Sequence, residues 1–198
     1  MVIVFDLGKV ILDFDHRIVT TRLAQLSRVS EKRIHDLIFA RNLESMYDRG
    51  KTSSREFYQG VVRSLDIDIP FDEFREIWTK IFTLKEDVCD LIKTLKKRYK
   101  LILLSNTNEM HFDYAFGAFE ILRAFDDYVL SYRVGARKPD PKVYLAALQR
   151  AGCHAGECIY IDDKEENVWA ARRLGIQAIV FKNIQQLRRE LRALNIEV

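Results

Sequence analysis

Met1-Val-Ile-Val-Phe-Asp-Leu-Gly-Lys-Val-Ile-Leu-Asp-Phe14 is the stretch on which the reading of this chain turns. Val2 to Phe5 is a short, wholly apolar, β-rich run that stops at Asp6. A strand buried on both faces reads this way. Gly8 follows, where the backbone can turn sharply or approach a ligand closely. Ligands bind beyond the carboxyl ends of strands in open α/β sheets, so an Asp there is placed to meet a metal or an electrophile. Alone, the stretch reads equally well as a strand closed by a turn-forming Asp.

Working outward, the residues from Asp15 to Asn42 carry apolar side chains at helical spacing (Ile18, Leu23, Leu26, Val29, Ile34, Leu37, Ile38), with a break at Ser30, a candidate N-cap. Ser53 and Glu56 stand in capping-box relation before Phe57, Val61, Val62 and Leu65, and Pro70 opens a segment bearing Phe74, Ile77, Trp78 and Ile81. About four helices and no strand are expected between Asp15 and Lys85. A βαβ crossover needs only one helix, so residues 15–85 are expected to form a helical subdomain inserted after the first strand.

From Glu86 the pattern alternates. Lys100–Ser105, Asp127–Ser131, Cys158–Ile161 and Ala178–Phe181 read as strands, each followed by a helical stripe. Asp140-Pro141 starts one helix and Gly152 ends it. With Val2–Phe5 this makes five strands. The expected fold class is α/β, a Rossmann-like, doubly wound parallel sheet formed by residues 1–14 and 86–198.

The bulk properties exclude several classes. A net charge of +3 on 32 basic and 29 acidic residues gives no nucleic-acid signature. The basic cluster Arg188, Arg189 and Arg192 reads as a solvated helix face. Cys89, Cys153 and Cys158 fit no zinc spacing and suit free thiols in a reducing compartment. No signal-peptide pattern and no membrane-length apolar run is present. The expectation is a soluble, cytoplasmic monomer or weak homo-oligomer with no membrane or nucleic-acid partner.

The strand ends carry the chemistry. The first stops at Asp6, the second at Ser105-Asn106 and the fourth at Asp162-Asp163, while the loop Gly135-Ala-Arg-Lys-Pro139 supplies Lys138. In a parallel sheet these ends share one edge. Carboxylates, a hydroxyl, an amide and an ammonium suit Mg²⁺ together with a substrate phosphate. Taken singly, Ser105 also reads as a helix cap, Asn167 as an ordinary helix residue and Lys138 as a loop cation.

With these residues in place the chain resembles the haloacid dehalogenase superfamily, most of whose members are Mg²⁺-dependent phosphohydrolases. The four motifs appear in order as Phe5-Asp6-Leu7-Gly8-Lys9-Val10, Leu104-Ser105-Asn106-Thr107, Lys138-Pro139, and Ile161-Asp162-Asp163 with Asn167. The helical insertion is similar in place and character to the family's C1 cap. Ser105 to His111 and Arg137-Lys138-Pro139 look most like the bacterial α-D-glucose-1-phosphate phosphatases. The resemblance implies a small phosphorylated metabolite as substrate and Asp6 as the nucleophile that forms an aspartyl-phosphate. It implies Asp6, Asp163 and the Gly8 carbonyl as Mg²⁺ ligands, with Asp162 and Asn167 behind them. Ser105, Asn106 and Lys138 are then the phosphate-binding groups. Asn108, His111, Arg49 and Lys51 are candidate substrate contacts.

One departure matters. The family's usual second Asp, the general acid two residues after the nucleophile, is Gly8 here. Three explanations stand open: a leaving group that needs no proton, as in a sugar 1-phosphate; another donor, with Asp13 and Asp15 the nearest acids; or a protein that binds phosphate esters without turnover. A metal-independent haloacid dehalogenase also lacks this acid, and the acidic fourth motif argues against it.

Overall fold

The computed structural model describes residues 1–40 and 43–198, so the expected end of the first helical stretch at Asn42 lies outside the described residues. In chain order, β1 (Val2–Phe5) and β2 (Leu12–Phe14) precede α1 (Arg17–Leu26), α2 (Glu31–His35), a π-helical turn at Asp36–Ala40, α3 (Leu43–Asp48), α4 (Ser54–Leu65) and α5 (Phe71–Thr79). Then come β3 (Phe82–Leu84), α6 (Glu86–Lys96), β4 (Lys100–Ser105), α7 (Glu109–Ala118), β5 (Asp127–Leu130) and α8 (Ser131–Val134). The chain continues through α9 (Pro141–Ala151), β6 (Cys158–Asp162), α10 (Glu165–Arg173), β7 (Gln177–Val180) and α11 (Ile184–Ala193).

The main sheet is wholly parallel, in the order β5-β4-β1-β6-β7. Side chains alternate across a strand, so β1 sends Ile3 and Phe5 into one core and Val2 and Val4 into the other. Leu101, Leu103, Ile159 and Ile161 join the first core; Ile102, Leu104 and Tyr160 join the second. Burial on both faces is why these strands read as continuous apolar runs. The five expected strands are all present. β1 lies at the centre, flanked by β4 and β6, which sets the ends of these three strands side by side.

Helices α1 to α5 are built around an apolar cluster of their own, with Leu23, Ile34, Phe57, Phe74 and Trp78 fully or almost fully buried. Met110 of α7 enters that cluster. Local signals set the helix ends as expected: Ser30 caps α2, Ser53 and Glu56 form a capping box on α4, Asp140 caps α9, and Gly152 ends α9 at φ +66°. One expectation fails. β3 is a strand where none was foreseen, and it pairs antiparallel with β2 (Leu12 with Leu84, Asp13 with Thr83, Phe14 with Phe82). Three residues show no alternation by themselves, and their partner lies some seventy residues away. Through this ribbon both chain passages to the helical insert run side by side.

The three cysteines are free. Among the described residues no helix is long and apolar enough to cross a membrane.

Candidate active site

The carboxyl ends of β1, β4 and β6 and the turns after them line one cavity of about 300 Å³, to which His16, Glu44 and Asp48 also contribute. Asp6 leaves β1 with its Oδ1 accepting from the Leu7 N–H at 2.7 Å and from Lys138 Nζ at 2.7 Å. Lys138 is almost wholly buried and spends all three ammonium hydrogens: on Asp6, on Asp162 Oδ2 at 2.7 Å and on the Leu104 carbonyl at 3.2 Å. Its backbone is gripped in turn. Asn106 Oδ1 accepts from the Lys138 N–H at 2.8 Å, and Asn106 Nδ2 donates to the Lys138 carbonyl at 3.1 Å. The Asn106 side chain is thus committed to placing the lysine, while Asn106, expected among the phosphate-binding groups, lines the cavity.

Asp162 is fully buried and saturated. Its oxygens accept from Lys138, the Tyr160 hydroxyl, the Lys164 N–H at 2.8 Å and Asn167 Nδ2 at 3.0 and 3.1 Å. Burial alone raises a carboxyl's pKa; here Lys138 and the hydrogen bonds outweigh it and hold Asp162 below its ordinary value. Asp163 has no such partners among the described residues, and burial with Asp162 beside it pushes its carboxyl up. Asp6 is driven further, to about 7, by burial first and by Asp162 and Asp163, with Lys138 pulling the other way.

Three carboxyl groups therefore share one ammonium, a deficit of positive charge in a largely buried site. Oxygens of Asp6, Asp162 and Asp163 lie within 4.8 Å of one another. Because Asp162 is saturated, Asp6 and Asp163 are the two with coordination capacity left. Asn167 is buried too, and among the described residues its Oδ1 has no hydrogen-bond partner although its Nδ2 is fixed on Asp162. An orphaned acceptor beside free carboxylates fits a hydrated divalent cation, whose water would donate to it. Gly8 lines the same cavity two residues past Asp6. Ser105 ends β4 with its hydroxyl unpaired among the described residues, and Thr107 beyond it is clamped by Ser131, whose Oγ accepts from the Thr107 N–H and donates to its carbonyl.

The substrate-contact expectations fare unevenly. His111 does line the cavity, but it stacks on Trp78 at 4.8 Å, and its Nε2 donates to the Trp78 carbonyl at 2.9 Å, which leaves Nδ1 to accept from Asn108. Burial drives its pKa to about 3, so the ring is neutral. Asn108 does not reach the cavity. It is fully buried, caps α7 through the His111 N–H, accepts from Trp78 Nε1 at 3.3 Å and donates to Asp48 at 3.1 Å. Arg49 and Lys51 stand outside the lining as well. Glu44 and Asp48 are four residues apart on α3 and share its inward face, and Arg49 lies in the turn just past the helix. Asp13 and Asp15 also miss the cavity: Asp13 pairs with Lys9, and Arg17 holds Asp15 down at about 2.

Sequence reasoning missed Glu44, Asp48, His16, Phe14 and Arg137. Arg137 lies 3.4 Å from Asp48, and His16 lies 3.9 Å from Glu44. Arg137 had a signal, as the neighbour of Lys138 in a loop already singled out. The α3 pair had only its four-residue spacing.

Fold and site together define an enzyme of Rossmann-like build that gathers carboxylates and one lysine at the carboxyl edge of a parallel sheet. The chain matches the haloacid dehalogenase-like hydrolase family over residues 1–175 and belongs to it. It is 26% identical to the D-ribitol-5-phosphate phosphatase of Bacteroides thetaiotaomicron, over 96% of this chain and 95% of that protein. It superposes on a haloacid dehalogenase family enzyme of the same species, solved with magnesium and inorganic phosphate, at a TM-score of 0.83 with 24% identity, over 91% and 93% of the two chains. A family hydrolase of Porphyromonas gingivalis gives a TM-score of 0.84 with 25% identity, over 96% and 97%.

Proposed function

We propose that the chain is a Mg²⁺-dependent phosphatase acting on a small phosphorylated metabolite, with a sugar phosphate, including a sugar 1-phosphate, as the preferred class. The observation that carries this reading is Asp6 itself: one oxygen is fixed on Lys138 while the carboxylate opens on a cavity shared with Asp163 and Ser105. The relation to a D-ribitol-5-phosphate phosphatase supports the substrate class.

Asp6, Asp163 and the Gly8 carbonyl would hold the Mg²⁺, with Asn167 on one of its waters. The cation supplies charge neutralisation, without which a carboxylate is a poor nucleophile towards a phosphate dianion. Asp6 attacks phosphorus, the bond to the leaving oxygen breaks, and water later hydrolyses the aspartyl-phosphate. Lys138 keeps Asp6 aligned and balances charge on the transferring group. Ser105 donates to a phosphoryl oxygen. Residues 15–85 act as a cap that closes over the site and excludes water.

The test is phosphate release from a panel of sugar, polyol and aryl phosphates, with Mg²⁺ and with EDTA, in wild type and Asp6→Asn. Release that needs Mg²⁺ and vanishes in Asp6→Asn supports the reading. Full activity in EDTA sinks it, and halide release from a 2-haloacid without metal replaces it with the dehalogenase.

A further inference from the structure

We propose that Glu44, carried on the helical insert, donates the proton to the leaving-group oxygen that the residue at Gly8 has no side chain to supply. This rests on the phosphatase reading above and assigns a further catalytic residue to it.

The place beside the nucleophile is taken. A Cβ built on Gly8 would lie 2.9 Å from Cε1 of Phe14, so an aromatic ring fills the space into which an acid at position 8 would extend. The other acids of the cavity are committed. Asp48 gives one oxygen to Asn108 at 3.1 Å and the other to Arg137 at 3.4 Å. Asp162 is saturated, Asp163 and Asp6 face the cation site, and both nitrogens of His111 are in use. Glu44 differs. It lines the same cavity as Asp6, its side chain is only 16% exposed, and among the described residues its carboxyl makes no hydrogen bond.

The surroundings keep that carboxyl protonated. Burial contributes most, and Asp48 on the next turn of α3 adds to it, against the weaker pull of Arg137 and Lys164 from the loops before α9 and α10; together they push Glu44 up to about 8. His16, packed 3.9 Å away and stacked on Phe39, is itself lowered to about 4 by burial, so it offers no compensating charge. A proton held near neutral pH on a group without a hydrogen-bond partner among the described residues suits general acid catalysis.

The balance closes in two steps. Asp6 attacks phosphorus, the phosphorus–oxygen bond to the leaving group breaks, and the Glu44 proton goes to the departing oxygen, giving the alcohol, aspartyl-phosphate and Glu44 carboxylate. Water then attacks the phosphorus of the intermediate, the Asp6 oxygen leaves as carboxylate, and one water proton returns to Glu44 as hydrogen phosphate departs. With a donor in place the site is not confined to anomeric esters; primary and secondary alkyl phosphates become substrates.

The experiment compares Glu44→Gln with wild type on the fastest alkyl phosphate of the panel and on p-nitrophenyl phosphate, whose leaving group needs no proton. The expected result is a loss of about 10²-fold or more in kcat on the alkyl ester, with a loss on the aryl ester smaller by at least about tenfold. Wild-type kcat on the alkyl ester should fall above about pH 8, and Glu44→Gln should flatten that limb. Equal losses on both esters, or an unchanged alkaline limb, overturn the proposal. So does a wild type that cleaves aryl but no alkyl esters. A wild type that releases phosphate from neither ester brings down the phosphatase reading itself.

Discussion

Replacing Lys138 with Met keeps the aliphatic stem and removes the ammonium. In the wild type that ammonium sits 2.7 Å from both Asp6 and Asp162, with its side chain 1% exposed. Its removal leaves two buried carboxylates facing each other, with Asp163 close by. Breaking a buried ion pair from one side costs about 3–5 kcal/mol, because the remaining charge stays in a poor solvent. At about 2–4 °C per kcal/mol for a chain of this size, metal-free Lys138→Met should unfold roughly 6–20 °C below wild type. Asp6→Asn in the same chain removes one unpaired charge. The double variant should therefore be more stable than Lys138→Met alone, a non-additivity of about 1–3 kcal/mol. Thermal unfolding followed by circular dichroism in EDTA measures both. A drop under about 3 °C, or strict additivity, would mean that Lys138 is not what makes this carboxylate cluster tolerable.

The pH dependence of Glu44 has a definite sign. Its folded-state pKa of about 8 lies above the ordinary value of 4.5, so the folded chain binds the proton more tightly, and this contribution to stability is full below about 4.5 and lost as pH rises through 8. Glu44→Gln should thus unfold at a higher temperature than wild type at pH 8.5, with the gap closing near pH 4.5; the opposite order refutes it. Asp163→Asn should raise the Mg²⁺ concentration giving half-maximal phosphate release by about tenfold or more, from the loss of a charged ligand; an unchanged titration places the cation elsewhere. Gly8→Asp should destabilise by about 1–3 kcal/mol through displacement of the Phe14 ring, and Phe14→Ala in the same chain should relieve it, as read by urea unfolding. Equal stability of Gly8→Asp and wild type would show that the ring moves freely.

What could be read in the sequence was what local pattern and backbone chemistry encode. Strands buried on both faces announce themselves as apolar runs, and the polar residue that stops each run is then a candidate for the sheet edge. That is how Asp6, Ser105, Asp162 and Asp163 became legible. β3 was not, since Phe82–Leu84 is a strand only because Leu12–Phe14 lies against it. Asn108 was misassigned although its position before Glu109 is an ordinary N-cap pattern, and its side chain went to the helix and to the interior. Arg49, expected to contact substrate, stands outside the cavity, and α3 sends Glu44 and Asp48 into it instead. Which face of an inserted helix meets the sheet edge depends on how two separately built cores dock. No local spacing records that.

The central place of β1 has a consequence for synthesis. Val2 pairs with Lys100 on one side and with Cys158 on the other. At about 5–20 residues per second, β1 leaves the ribosome roughly 5–20 s before β4 and roughly 8–30 s before β6. For that interval one of the most apolar segments of the chain has both hydrogen-bonding edges open, while helices α1 to α5 already have most of their own cluster in hand. The nascent chain is therefore most prone to mispairing after the helical insert has formed and before β4 arrives. A shorter insert would narrow that window in proportion.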